Sequence, residues 1–240
     1  VSALGSPRLH LRQTDSTNLR ARELAIAGAP HGTLVTAAEQ LAGRGRQGRG
    51  WVAPAGDALL MSLVVRDPPP LLSLAAGVAV AQVAQALDPA GRRAELKWPN
   101  DVLLAGGKVA GILVEARPGE GWAVLGIGVN VAVDRGALPP DVRDRAATLG
   151  LTAAAIEPLL TAVLGELQDV LEMERARLLA RLRERDALRG HGVAWAGGSG
   201  VAAGIDERGR LLVRAATETI ALAAGEVHLL AGRCPTRRVQ

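Results

Sequence analysis

Residues 97–115 read Lys-Trp-Pro-Asn-Asp-Val-Leu-Leu-Ala-Gly-Gly-Lys-Val-Ala-Gly-Ile-Leu-Val-Glu. Ala94–Trp98 reads as a strand that Pro99-Asn100 breaks. Val102–Leu104 and Val109–Ala116 then flank Gly106-Gly107, a strong hairpin signal. The bend exposes Asn100 and Asp101 at its tip. Asp101 can help hold Mg²⁺ on a nucleotide, or it can simply close an Asx turn. Lys108 opens a strand whose remaining residues are mostly apolar, so its ammonium can reach a ligand while its stem lies on apolar surface. The plainer alternative is a snorkelling strand end. Gly111 inside a strand points to close approach by a ligand or another backbone.

Upstream, residues 43–51 read Gly-Arg-Gly-Arg-Gln-Gly-Arg-Gly-Trp. Glycine lets a backbone wrap a ligand closely. Arg44, Arg46 and Arg49 offer permanently charged forks suited to phosphate or carboxylate. The Gly-Lys-Ser/Thr ending of a Walker A loop is missing. No amphipathic helix follows Trp51, which excludes a Rossmann fingerprint. A solvated basic loop is the alternative. Four glycines beside mutually repelling arginines predict a loop that settles into one shape only with an anion.

Further out, Leu9–Gln13 reads as a short strand. Asp15-Ser16-Thr17-Asn18 precedes a helix through about Ala27, with Ser16 or Thr17 expected to cap it. Thr33–Ala38 and Ala58–Val65 are strands, and Leu72–Leu87 is a helix of small residues. Trp122–Val133 is a strand whose Gly126 and Gly128 fit backbone approach or a bulge. Asp134–Gly150 is mostly loop, and Thr152 to about Leu188 is helical with a charged end. Gly190–Gly200 reads as a linker. Val201–Ile205, Leu211–Ala215, Thr219–Leu222 and Val227–Leu230 are short strands that suggest a small SH3-like β-barrel.

The composition narrows the partners. With 48% hydrophobic residues, the 240-residue chain can bury a sizeable core. There is no Phe or Tyr, and the only aromatics are Trp51, Trp98, Trp122 and Trp195. A net charge of +4 favours acidic partners. A nucleic-acid module would, however, lack stacking rings, and its arginines would not be gathered in a glycine loop. A single cysteine, Cys234, excludes an internal disulfide framework and a cysteine-rich zinc site. No signal peptide and no membrane-spanning run is present, so a cytoplasmic protein is expected.

Taken in order, Asp15–Asn18, Gln40–Trp51, Lys97–Leu104, Lys108–Glu115, Gly126–Val131 and Gly204–Val213 resemble the biotin–protein ligase family over about residues 9–234. The resemblance implies an α+β fold: a class II synthetase-like mixed β-sheet flanked by helices, then the SH3-like barrel. It implies a catalytic domain at 1–190 and a C-terminal domain at 191–240. It also implies a two-step reaction, in which biotin and ATP give biotinyl-5′-AMP and a lysine of a carrier domain then takes the biotin.

By the same resemblance, Ser16, Thr17, Asn18, Gln40, Gly43, Arg44, Lys108, Gly111 and Ile112 attend biotin. Arg46, Arg49, Trp51, Lys97, Asn100 and Asn130 attend the nucleotide. Lys108 and Arg46 act in catalysis, and Asp101 attends Mg²⁺. The implied partner is the biotin carboxyl carrier domain of acetyl-CoA or pyruvate carboxylase, with a homodimer compatible and no DNA or membrane. The motifs begin by residue 15, which implies a ligase without the DNA-binding domain that many members carry. Some relatives place an aromatic over the adenine, but none lies between Trp122 and Trp195 here. A lipoate ligase or octanoyl transferase on the same fold is the nearest alternative; the Gly-Arg-Gly-Arg and Lys-Trp-Pro-Asn-Asp strings favour biotin.

Overall fold

The computed structural model describes residues 4–230; Cys234 and the last part of the expected C-terminal domain lie outside them. The elements follow in chain order: β1 (Arg8–Thr14), α1 (Thr17–Ile26), β2 (Leu34–Gln40), β3 (Ala58–Arg66), α2 (Leu72–Leu87), β4 (Ala94–Lys97), β5 (Asp101–Leu104), β6 (Gly107–Arg117) and β7 (Trp122–Asn130). They continue with α3 (Pro140–Arg143), α4 (Ile156–Leu171), α5 (Arg175–Glu184), β8 (Gly192–Trp195), β9 (Gly198–Ile205), β10 (Leu211–Arg214), β11 (Thr219–Leu222) and β12 (His228–Leu229).

The first seven strands form one mixed sheet, in the order β1-β2-β3-β7-β6-β5-β4. Only β1 and β2 run parallel; the other pairs are antiparallel. Alternation decides what each face meets. Leu34, Leu63 and Leu125 join the large core with α2, α4 and α5. Val35, Val64 and Val124 turn to the other face and pack under Ala21 and Ala25 of α1. Because α2 is apolar almost all round, it is buried between the sheet and α4. By contrast α1 is short and covers only one corner of its face, which leaves the rest of that face open for a site.

Two helices replace the single helical run expected after Thr152. Leu160, Val163, Leu167 and Val170 make a helical stripe. The next buried positions are Leu178, Leu179 and Leu182 on α5, so the stripe loses phase between them. The expected linker at 190–200 is also corrected: β8 and β9 form a hairpin in which Trp195 pairs with Gly198. Its glycines serve packing. A Cβ at Gly200 falls 2.4 Å from the Arg214 carbonyl oxygen.

The C-terminal strands run β11-β10-β9-β8-β12. Among the described residues the edge strands β11 and β12 do not pair, so this is an open SH3-like sheet rather than the expected closed barrel. Apart from the eight-residue β9 these strands have two to four residues, and each edge strand pairs with one neighbour, β11 with β10 and β12 with β8. Trp98 Nε1 donates to the Gly209 carbonyl at 3.1 Å and joins the small sheet to the large one.

Asp186 sits at the junction of α5 and β4. Its Oδ1 accepts from the Leu188 amide at 2.9 Å. Its Oδ2 is buried and has no partner among the described residues. Burial pushes its carboxyl above the usual range, against the pull of the Leu188 amide. The native pKa therefore lies above the unfolded one, and ionisation costs stability as pH rises through that interval. Asp186→Asn keeps the acceptor for Leu188 and removes the charge. It is expected to raise the melting temperature at pH 7 by about 2–4 °C, the scale of ~1 kcal/mol in a chain of this size. That gain should fade as pH drops below the usual carboxylate range. Melting curves at pH 7 and pH 3.5 check both halves; an equal gain at both values sinks the account.

Candidate functional site

On the face beside α1, the register places Ser62, Gly126 and Leu113 in one row across β3, β7 and β6. Leu60, Gly128 and Gly111 make the next row. Three glycines on adjacent strands leave a depression in the sheet. A cavity of about 620 Å³ opens above it. Its walls come from the start of α1, the arginine loop, the β4–β5 bend, Lys108, the 139–146 segment and the tip of the C-terminal sheet.

Of the residues named from the sequence, Ser16, Thr17, Asn18, Gln40, Arg44, Arg46, Arg49, Trp51, Lys97, Asn100, Asp101, Lys108, Gly111, Ile112 and Asn130 all line this cavity. Gly43 does not. A Cβ there would fall 2.4 Å from the Trp51 carbonyl oxygen and 3.0 Å from Gln40 Nε2, so its absence serves the loop's own closure.

Several roles differ from expectation. Ser16 holds the N-cap position of α1, but no side chain caps the helix there. Instead the Thr17 amide and hydroxyl both reach Gln40 Oε1, at 2.8 and 3.0 Å. The strand glycines receive side chains of this chain rather than a backbone. A Cβ on Gly128 would lie 2.6 Å from the Trp51 ring, and one on Gly111 3.0 Å from it. A Cβ on Gly126 would lie 2.0 Å from Asn18 Oδ1. The Trp51 indole thus rests on a two-glycine floor, and its buried Nε1 has no partner among the described residues. Asn100 is committed as a clamp: Nδ2 donates to the Ile112 carbonyl at 3.0 Å, and Oδ1 accepts from Arg46 at 3.2 Å. Asn130 donates to the Ala147 carbonyl at 2.9 Å and ties the end of β7 to the wall.

Each loop arginine has a partner within the chain. Arg44 faces Glu115 at 3.3 Å, and Arg49 pairs with Glu226 of the C-terminal sheet. Arg46 meets the Asn100 side chain and the Gly225 carbonyl at 3.2 and 3.3 Å. Lys108 pairs with Asp101 at 2.6 Å, its ammonium 5.7 Å from the centre of the Trp51 ring. Burial lowers the pKa of Lys97; Asp101 opposes this and Lys108 adds to it. At the entry to α1, the Ser16 amide, the Thr14 hydroxyl and Arg20 hold the Asp15 carboxyl down at about 2.

Sequence reasoning missed Ser62, Glu115, Asp141, Arg145, Glu226 and His228. Ser62 carried a signal, as the one polar residue within the run from Ala58 to Val65. Glu115 carried one too, since it shares strand parity with Gly111. The C-terminal pair and the 139–146 wall carried none, because only folding brings them to the sheet.

Residues 10–132 match the model of the biotin/lipoate A/B protein ligase family, and 188–230 match that of the biotin protein ligase C terminal domain. The chain is 38% identical to a biotin–[acetyl-CoA-carboxylase] ligase of Paracoccus denitrificans, over 90% of this chain and 98% of that one. It is 39% identical to the protein of the same name from Mycobacterium tuberculosis, over 90% of this chain and 87% of the relative. Its structure resembles that of the Aquifex aeolicus biotin protein ligase in complex with biotin and ATP. The TM-score is 0.80 at 27% identity, covering 94% of this chain and 99% of that one.

Proposed function

Because this chain belongs to the biotin/lipoate A/B protein ligase family, we propose that it is an ATP-dependent biotin–protein ligase. It activates biotin as biotinyl-5′-AMP and transfers biotin to a lysine of a biotin carboxyl carrier domain. The observation that carries this reading is one cavity that polar side chains and cations line together. Ser16, Thr17, Asn18 and Gln40 supply donors and acceptors; Arg44, Arg46, Arg49, Lys97 and Lys108 supply charge.

The chemistry follows from that distribution. A carboxylate must attack an α-phosphate, and two anions repel unless pre-placed cations offset their charge. Lys108 and Arg46 are placed to do so, and the walls hold the two groups in line. The polar side chains read the ureido ring. The aliphatic tail crosses Ile112 and the glycine floor beside Trp51. Arg46, Arg49, Trp51, Lys97, Asn100 and Asn130 form the nucleotide side, and the 139–146 wall stands where an aromatic is lacking.

Among the described residues no three His, Cys, Asp or Glu cluster as a metal site. Mg²⁺ suits the site only as an ion carried by phosphates with one carboxylate, Asp101, and it would neutralise phosphate charge there. The division into domains at about residue 190, a homodimer and a cytoplasmic location belong to the same reading and rest on resemblance.

The direct test incubates the protein with Mg²⁺-ATP, a biotin carboxyl carrier domain and either biotin or lipoate. A mass gain of one biotinyl group, on the carrier only and with biotin only, is expected. Lipoyl transfer in preference, or no transfer, overturns the proposal.

A further inference from the structure

Ser62 interrupts the apolar run of β3 and has no exposed surface. Its Oγ lies 2.8 Å from Thr17 Oγ1 and 2.6 Å from Asn18 Oδ1. Asn18 Nδ2 donates to Glu115 Oε2 at 2.8 Å, and Glu115 in turn faces Arg44. At the other end, Thr17 is bound to Gln40. One chain of polar contacts thus runs from Gln40 to Arg44 beneath the cavity. Gln40, Thr17, Asn18 and Arg44 line the cavity, while Ser62 and Glu115 stand behind it.

Counting protons gives the chain a direction. Glu115, paired with Arg44, offers acceptors only, so Asn18 must turn its NH₂ to Glu115 and its carbonyl to Ser62. The single proton of Ser62 is then committed to Asn18. Ser62 Oγ can then meet Thr17 only as an acceptor, so the single Thr17 proton goes to Ser62, the Thr17 amide alone holds Gln40 Oε1, and a Thr17 lone pair is left for the cavity. The Thr17 amide holds the Gln40 carbonyl, so the Gln40 NH₂ is the end left to donate. An adjacent donor and acceptor are complementary to a carbonyl flanked by N–H, the pattern of a ureido group. We propose that Ser62 and Glu115 are positioning residues that fix this hydrogen-bond polarity, and with it the choice of ureido over groups of opposite polarity, without touching substrate. This inference rests on the ligase reading above.

The test compares biotin with 2-iminobiotin, whose guanidinium places donors where biotin has its carbonyl. Affinities for both are measured by calorimetry on wild type, Ser62→Ala and Glu115→Gln. Pyrophosphate release gives kcat and both KM values, and melting curves report folding. In Ser62→Ala the biotin KM is expected to rise about tenfold, the cost of leaving a buried polar group unpaired. Its kcat and ATP KM should stay put, and the preference for biotin over iminobiotin should narrow by a similar factor. Glu115→Gln should narrow it too, since a glutamine can present either end to Asn18. Equal weakening of both ligands, an unchanged ratio, or a parallel loss of kcat overturns the positioning role and leaves a packing role. A wild-type protein that forms no biotinyl-adenylate overturns the ligase reading itself.

Discussion

Lys108→Ala is expected to slow adenylate formation by about 10²–10³-fold, the scale of losing one pre-placed donor in a transition state. The backbone makes the placement firm. The Lys108 amide donates to the Arg145 carbonyl at 2.7 Å, and the Lys108 carbonyl accepts from the Ala147 amide at 2.8 Å. From that anchor the ammonium crosses the face of the sheet to Asp101, 2.6 Å away. The ion pair holds the ammonium beside the glycine floor. An incoming carboxylate and phosphate then compete with Asp101 for it, and together they outweigh one carboxylate. Lys108→Arg should recover little, because a wide planar fork does not replace a compact point charge. Transfer from supplied biotinyl-AMP should suffer less than adenylation, because the bond to the α-phosphate is already made. Single-turnover rates for the two steps decide the matter. Near wild-type adenylation in the alanine variant leaves Lys108 as a strand-end residue with no chemical role.

How far the sequence carries this picture depends on the range of each interaction. The β5–β6 hairpin was legible because its turn is local, but the turn pair is Ala105-Gly106, both at positive φ, one residue before the expected Gly106-Gly107, and Gly107 already opens β6. The boundaries of α2 were legible because a proline run precedes it and its residues suit a buried helix. Composition misled at 190–200, where glycines that serve a tight turn and close packing look like a flexible linker. The helical cap at Ser16 was misjudged for a different reason. A local rule favours capping, but Gln40, 23 residues after Thr17, offers an acceptor that no local rule contains. Gly111 and Gly128 were recognised as places of close approach. The occupant, Trp51, could be assigned only once β6 and β7 were seen to pair Gly111 with Gly128. Partners such as Glu226 come from the far end of the chain and leave no trace near the arginine loop.

Arg46→Gly should turn a confined reaction into a leaky one. Arg44 and Arg49 each face a carboxylate, but Arg46 is held by two neutral carbonyl oxygens, those of the Asn100 side chain and the Gly225 backbone. Its position is therefore fixed while its charge stays uncompensated by any acid within those contacts. That is the arrangement a phosphate needs. The guanidinium can take up an adenylate's phosphate through charge-assisted bonds worth about 1.5–3 kcal/mol. Removing it should speed release of biotinyl-AMP by about 10- to 150-fold. Glycine at this point also loosens the loop and cuts its tie to the C-terminal sheet, so a second barrier to escape falls with the first. The released anhydride is reactive and should label lysines of bystander proteins. The check uses an excess of serum albumin alongside the carrier domain and follows biotin on both, with filtration to measure free biotinyl-AMP. Wild type should label the carrier alone, and the variant should label both while still forming adenylate. If the variant's labelling stays confined to the carrier, Arg46 does not retain the intermediate.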